Sequence, residues 1–313
     1  GLTVLTEVEA LEAAFKLGYP VLMRPSYVLG GQNMIIARNS ADIKEYMKII
    51  LAQKIENPIL IDKYMEGTEL EIDCICDGED VLIPGIMEHV ERTGIHSGDS
   101  IAVYPAWNFT QEMTDEVVTK SRDMALALGT KGLVNIQWLF YNGKLNIIEA
   151  NPRSSRTVPY LSKVTGVPMV ELATRAMLGE KVRDMGYGIN LYRKPDSFAV
   201  KVPVFSFEKI MDVDTHLGPE MKSTGEVLGI ASSKDEAIFK GFVAAGTKMI
   251  RPKSKHSEGI LFSVRQSDLP ELPELAKKFT DLGFKLYATS GNADTIERSG
   301  MQVERVAKVH ENC

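Results

Sequence analysis

The sequence predicts an α/β protein in two parts: an α+β domain over residues 1–254, then a partial domain over residues 255–313 built on a parallel sheet. Three observations carry this. The apolar stretches Leu133–Tyr141 and Leu145–Asn151 flank Asn142-Gly143, a hairpin signal. After residue 259, short apolar runs alternate with helix-period runs, the pattern of a parallel sheet covered by helices. Between the two parts lies Arg251-Pro-Lys-Ser-Lys-His-Ser257, polar and basic, which reads as a connector.

The elements follow in order. Val8, Leu11, Ala14 and Phe15 recur at helical spacing, with Gly18 as the stop. Pro20 leads into a strand at Val21–Arg24, then a Gly-containing loop at Ser26–Gln32 and a strand at Met34–Ala37. Ser40 reads as the cap of a helix with the stripe Ile43, Tyr46, Met47, Ile50, Leu51. Ile59–Asp62 and Glu69–Cys76 read as strands, Asp77-Gly78 as a turn, and Val81–Glu91 as continued sheet. A helix from a Thr114 cap to Leu128 ends at Gly129, and the hairpin follows. Pro168 opens a helix to Leu178. Strands at Phe198–Val202 and Gly225–Ala231 and a helix at Lys234–Ala245 complete the first part. The second reads as strand (Ile260–Val264), helix (Leu272–Leu282), strand (Lys285–Ala288), helix (Ala293–Ser299) and strand (Val303–Val306), a Rossmann-like series cut short.

Composition narrows the function. The 313 residues suffice for two domains at ~150 residues each. Lys+Arg 36 against Asp+Glu 42 leaves −6, which argues against non-specific binding to nucleic acid or anionic membranes. No apolar run approaches the ~18–20 residues of a membrane span. No signal-peptide pattern opens the chain, so a cytoplasmic location is expected. Cys74, Cys76 and Cys313 form neither a disulfide framework nor a zinc spacing, and Cys74 and Cys76 read as small buried residues. The start at Gly1 and the stop at Cys313, just past a strand, read as the ends of a fragment.

Four constellations carry candidate chemistry. In the first, Glu149 and Asn151 are two apart on a strand and share a face, and Glu149-Ala-Asn-Pro-Arg153 runs into Ser154-Ser155-Arg156. A carboxylate with amide oxygens suits a hard cation such as Mg²⁺, and two arginines suit a polyphosphate. A two-residue turn would pair Gln137 with Ile148 and put Gln137 and Glu149 on opposite faces; a three-residue loop would put them on one. A shared metal therefore predicts the odd-length loop. A surface hairpin with ordinary polar residues is the plain alternative. In the second, Arg24-Pro-Ser-Tyr-Val-Leu-Gly-Gly31, backbone N–H groups at the glycines could approach phosphate, though glycine pairs are usually turns. The third, Glu88-His89-Val-Glu91 through His96-Ser97-Gly98-Asp99-Ser100, concentrates histidines and acids after an apolar strand, with His89 and Glu91 on one face. The fourth, Asp62-Lys63-Tyr64-Met65-Glu66-Gly67-Thr68-Glu69, reads equally as a purine and ribose pocket, with Lys63 and Glu69 as polar readers, or as a solvated strand end. No Ser-His-Asp or Cys-His order recommends a nucleophile.

Together these motifs resemble the ATP-grasp ligases, and closely the C-terminal half of the large subunit of carbamoyl phosphate synthetase. His96-Ser97 in the His-Ser-Gly-Asp run, Arg156-Thr-Val-Pro-Tyr-Leu-Ser-Lys163 and a methylglyoxal-synthase-like start after residue 255 distinguish that half, and Gly218-Pro-Glu-Met-Lys-Ser-Thr-Gly-Glu226 also matches. The resemblance implies phosphorylation of carbamate by ATP to carbamoyl phosphate, a step of pyrimidine and arginine biosynthesis. It implies Mg²⁺ or Mn²⁺ on Gln137, Glu149 and Asn151, with Arg153, Arg156 and Asn151 as the catalytic set. It assigns phosphate contacts to Arg24, ribose to Glu69, adenine surroundings to Lys63 and Met65, nucleotide lining to Ile95, His96 and Ser97, and K⁺ to His89, Glu91 and Ser100. The implied partners are an N-terminal half, a glutaminase small subunit and a nucleotide effector, with Thr289 and Lys308 at effector positions. Two departures stand out. Ornithine control would need an acid beside Lys201, where this chain has Val202. Leu269 and Asn292 replace the Lys and Thr of better-studied effector sites. Another ATP-grasp ligase such as a biotin carboxylase, or a nucleotide-binding regulatory module without turnover, are the alternatives.

Overall fold

The computed structural model describes residues 1–26, 31–52, 57–193, 195–209, 214–248 and 259–308. The chain divides into two compact units, Gly1–Thr247 and Lys248–Cys313. The expected boundary at 254/255, the connector Arg251–Ser257, Tyr27 to Gly30, the Leu51 side chain and Cys313 lie outside the described residues.

The first unit opens with β1 (Leu2–Val4), α1 (Glu7–Leu17), β2 (Val21–Pro25), β3 (Ile35–Ala37), α2 (Ser40–Ala52) and β4 (Ile59–Lys63). These strands form an antiparallel sheet in the order β1-β4-β2-β3. Val21, Met23, Ile43, Met47 and Ile61 fill the core between it and the two helices. Asn39, not Ser40, caps α2: its Oδ1 accepts from the amides of Ala41 at 2.8 Å and Asp42 at 3.1 Å. Ser40 is the first helical residue, so the sequence reading set the cap one position late.

Next come β5 (Thr68–Cys76), β6 (Val81–Ile83), β7 (Ile86–His89), β8 (Ala102–Tyr104), α3 (Gln111–Ala127), β9 (Gly132–Tyr141) and β10 (Lys144–Asn151). Then follow α4 (Thr157–Thr165), α5 (Met169–Met177), β11 (Asn190–Leu191), β12 (Phe198–Val204), β13 (Gly225–Ala231) and α6 (Lys234–Ala244). Among the described residues they build a nine-stranded sheet, β10-β9-β5-β7-β8-β12-β13, with β6 and β11 on a side branch. Leu70, Ile72, Cys74 and Cys76 of β5 join Val117 and Ala125 of α3 in one core. Ile75 at the end of the opposite face of β5 packs with α4 and α5 in another. The alternate residues Glu69, Glu71 and Asp73 therefore point to the face on which α4 begins.

Two expectations are corrected here. Thr110 caps α3 by accepting from the Met113 amide at 3.3 Å, whereas the Thr114 hydroxyl bonds back to the Thr110 carbonyl inside the helix. The run Val81–Glu91 is two short strands rather than one, and it ends at His89, so Glu91 lies beyond the strand.

The second unit has β14 (Gly259–Phe262), α7 (Leu272–Asp281), β15 (Lys285–Thr289), α8 (Ser290–Arg298) and β16 (Glu304–Val306). Its sheet is parallel, as the alternation predicts, in the order β14-β15-β16. The Asn292 side chain accepts from the Val264 amide at 2.9 Å and donates to the Val264 carbonyl at 3.1 Å. No helix among the described residues is long and apolar enough to cross a membrane.

Candidate functional site

The β9–β10 hairpin sets the site. Its turn has two residues, Asn142 and Gly143, both at positive φ (48° and 73°), the backbone this short turn demands. The register runs regularly from Lys144↔Tyr141 to Ile147↔Trp138. Ile148 is then bulged out, and pairing resumes at Glu149↔Gln137 and Asn151↔Asn135. The odd-length loop expected for a shared site is thus overturned: the extra residue sits in the strand, not the turn. The result for the side chains is the same, since Gln137 and Glu149 share a face.

Glu149 Oε1 is the point of convergence. Gln137 Nε2 lies 3.2 Å from it and Asn151 Nδ2 2.8 Å from it. Gln137 also donates to Ser97 Oγ at 3.2 Å. A cavity of about 80 Å³ lies here, lined by His96, Ser97, Gln137, Glu149, Arg153 and Arg156, and also by Glu71, Asn135, Thr157 and Lys201. It has room for a phosphoryl group and an ion rather than a whole nucleotide. A larger open groove of about 440 Å³, beside Asp115, Arg122 and Tyr192, contains none of the expected residues. The smaller cavity is the candidate site, because the ionisable and amide groups converge there.

Lys201 is 1% exposed and donates from Nζ to the Ser97 carbonyl at 2.8 Å, fixing the loop that carries His96 and Ser97. His96 accepts the Gly98 amide at Nδ1, 3.0 Å away, and burial holds its pKa below the ordinary value, which keeps it neutral. Arg156 Nη1 rests on Met221 Sδ at 2.8 Å and Ser223 Oγ at 3.5 Å.

Other expected residues gather elsewhere. Arg24 faces Asp62 across 3.4 Å on the four-stranded sheet and does not line the cavity. Lys63 Nζ donates to the carbonyls of Gly18 at 2.8 Å and Tyr19 at 3.1 Å. The segment bearing Met65 is stitched to that bearing Ile95: Tyr64 bonds the Thr93 carbonyl, and Gly67 and Thr93 exchange bonds of 3.0 and 2.9 Å. Glu69, 6% exposed, joins this group by accepting from the Gly94 amide at 3.4 Å. Glu91 accepts the Ile101 amide at 2.7 Å, and the Ser100 hydroxyl donates to the His96 carbonyl at 3.3 Å. Asp99 accepts the amides of Lys222 and Ser223 at 2.7 and 2.8 Å, a structural duty.

His89 is held between two buried carboxylates, Glu69 at 3.2 Å and Glu71 at 3.4 Å. Burial alone would lower its pKa, but the bonds to Glu69 and Glu71 outweigh burial and raise it to about 9. A raised folded-state pKa gives stability that is complete below the unfolded value near 6.5 and lost as pH climbs through about 9. Urea unfolding should therefore show stability falling by about 3 kcal/mol between pH 6.5 and 9, with the fall absent in His89→Gln. Equal slopes in both proteins would refute the charged bridge.

Sequence reasoning missed Glu71, Asp73, Asn135, Thr157 and Lys201. The acids at alternate positions of Glu69-Leu-Glu-Ile-Asp73 were a legible signal, as was a lone lysine inside Phe198–Val204.

An antiparallel sheet that gathers a carboxylate, two amides and two arginines beside a smaller mixed α/β lobe is the architecture of ATP-grasp proteins. Solved structures of that class share this fold. Biotin carboxylase of Campylobacter jejuni, in its β,γ-ATP complex, aligns over 78% of this chain and 61% of its own at TM-score 0.59 and 17% identity. The biotin carboxylase domain of Hydrogenobacter thermophilus 2-oxoglutarate carboxylase, solved with MgADP and bicarbonate, aligns over 96% and 70% at TM-score 0.59 and 18% identity. Within the class, residues 2–185 match the profile of the carbamoyl-phosphate synthase L chain, ATP binding domain, and the chain belongs to that family. Residues 271–313 match the MGS-like domain. The carbamoyl phosphate synthase large chain of Lachnoclostridium phytofermentans is 52% identical over 309 residues, 99% of this chain. That of Clostridium botulinum (strain Langeland) is 49% identical over 303 residues, 97% of this chain. This chain spans 28% of the length of either relative.

Proposed function

We propose that residues 1–254 bind ATP with Mg²⁺ or Mn²⁺ and transfer its γ-phosphoryl group to a carbamate oxygen, forming carbamoyl phosphate and ADP. The convergence of Gln137 and Asn151 on Glu149, with Arg153 and Arg156 on the same cavity, is the observation that carries this reading. A carboxylate and two amide side chains fit a hard divalent ion whose remaining ligands are phosphate oxygens and water. Such an ion, when bound, offsets the charge of the phosphates in transfer. Arg153 and Arg156 neutralise the equatorial oxygens of the migrating group, a task that positioning and charge accomplish without an enzyme nucleophile. His96 and Ser97 hold the polyphosphate, and Lys201 holds their loop. Glu69, Met65, Ile95 and Lys63 surround the nucleoside end in this reading, and Arg24 approaches the phosphates from the four-stranded sheet.

K⁺ fits beside this group only through oxygen, from Glu91 and Ser100, because both nitrogens of His89 already face carboxylates. The whole reaction belongs with an N-terminal half and a glutaminase subunit. Residues 255–313 serve as the start of a nucleotide effector domain. Its Thr289 hydroxyl is buried without a hydrogen-bond partner among the described residues, an acceptor and donor left for a ligand.

The test is thermal stabilisation by ADP with and without Mg²⁺, followed by ATP formation from carbamoyl phosphate and ADP. ADP at ~100 times its Kd should add ~2.7 kcal/mol of apparent stability. A Mg²⁺-dependent shift and ATP formation support the reading. A metal-independent shift with no ATP formed overturns it in favour of a nucleotide-binding module without turnover.

A further inference from the structure

Beneath the arginine-bearing loop lies a carboxylate that the chemistry above does not use. Asp73 is fully buried and does not line the cavity. Its hydrogen-bond partners are neutral: Thr157 Oγ1 donates to Oδ2 at 2.5 Å and Asn135 Nδ2 to Oδ1 at 3.2 Å. Burying a carboxylate against neutral partners costs free energy that an apolar residue would spare, so packing alone does not account for it. What it holds is the loop exit. Thr157 is the first residue of α4, and the N-cap, Arg156, supplies no side-chain bond to the helix. The Ser155 hydroxyl lies 2.8 Å from Thr157 Oγ1, and the Thr157 amide donates back to Ser155 Oγ at 3.2 Å. Thr157 Oγ1 lies 2.5 Å from Asp73 Oδ2 and 3.4 Å from Glu71 Oε1, so its proton goes to a carboxylate, Asp73 being the nearer, and the Ser155 hydroxyl donates to Thr157. A relay thus runs Ser155 to Thr157 to Asp73, from the loop into a central strand of the large sheet. At the loop's entry, the Arg153 amide bonds the Asn151 carbonyl at 2.8 Å. Both ends of residues 152–156 are pinned.

We propose that Asp73 is a positioning residue that, through the Thr157 hydroxyl, holds Arg153 and Arg156 at the phosphate-binding cavity. The inference rests on the phosphate role given to those arginines above.

The test compares Thr157→Val, which keeps the shape and removes the hydroxyl, with Thr157→Ser, which restores it. Amide hydrogen exchange reads the loop without any ligand. Losing a bond to a charged group should accelerate exchange at residues 153–157 about 10-fold in Thr157→Val, with residues 132–141 unchanged. The Kd for ADP should rise about 10-fold while that for adenosine stays put, because the loop meets only phosphate. Thr157→Ser should rescue both readouts. Should Thr157→Val fail to fold, Asp73→Asn replaces it, since its amide cannot accept from Asn135 and Thr157 together, and the same loop signature is expected. Unchanged loop exchange, equal weakening of ADP and adenosine, or no rescue by serine would overturn the proposal. If the unsubstituted protein binds ADP no tighter than adenosine, the phosphate role fails by itself, and the exchange comparison still decides whether Asp73 anchors the loop.

Discussion

Glu149→Gln should lower ATP formation from carbamoyl phosphate and ADP by about 10³-fold, because losing a metal's share of charge stabilisation costs several kcal/mol and each ~1.4 kcal/mol is a factor of ten. The substitution is nearly isosteric, so the hairpin has no reason to unfold. It removes the only carboxylate among Gln137, Glu149 and Asn151 and leaves three amides, a poor set for a hard divalent ion. It also places an amide nitrogen where Gln137 and Asn151 now both donate to Glu149 Oε1. The substitution should therefore erase the Mg²⁺ dependence of ADP stabilisation while ADP alone still binds. A variant that keeps both its rate and its Mg²⁺ dependence would remove Glu149 from the site.

Lys201→Met should destabilise the first unit by about 3 kcal/mol in urea unfolding, the range seen when a buried charge loses its partner. Lys201 is among the largest fully buried side chains. Its charge helps to lower the pKa of Glu71, which burial would otherwise raise, and it bears on Glu91 and Glu226 in the same way. Methionine fills the volume and returns none of that charge. It also leaves the Ser97 carbonyl, 2.8 Å from Lys201 Nζ, with the longer bond from the Ser100 amide at 3.4 Å. Lys120→Met, which breaks an exposed pair with Glu116, should cost less than about 1 kcal/mol. Equal losses in the two variants would show that Lys201 carries no special electrostatic duty.

How much of this was legible depends on what set each feature. The parallel second unit was legible because alternation of strand and helix leaves few topologies. Glu149 and Asn151 were legible as one face because strand side chains repeat every second residue. Whether Gln137 joins them was not legible, since the bulge at Ile148 changes the count and no turn residue announces it. Asn39 and Thr110 were passed over as caps because several polar residues compete at each helix start, and only geometry selects among them. Glu71 and Asp73 lay in plain view between apolar neighbours. Their partners Asn135 and Thr157 are 62 to 86 positions away along the chain, and sequence alone does not bring them together.

The bulge makes the hairpin indifferent to parity. A two-residue turn contributes an even step, and Ile148 adds the odd one that brings the carboxylate opposite Gln137. Counting back from Asn-Pro-Arg153 locates Glu149 correctly, whereas counting forward from Asn142-Gly143 lands on the wrong side of the sheet. Lengthening the turn by one residue and deleting Ile148 should be compensating edits. The hairpin tip can then be grafted, tagged or exchanged for one of another length, provided the strand repays the difference before Glu149.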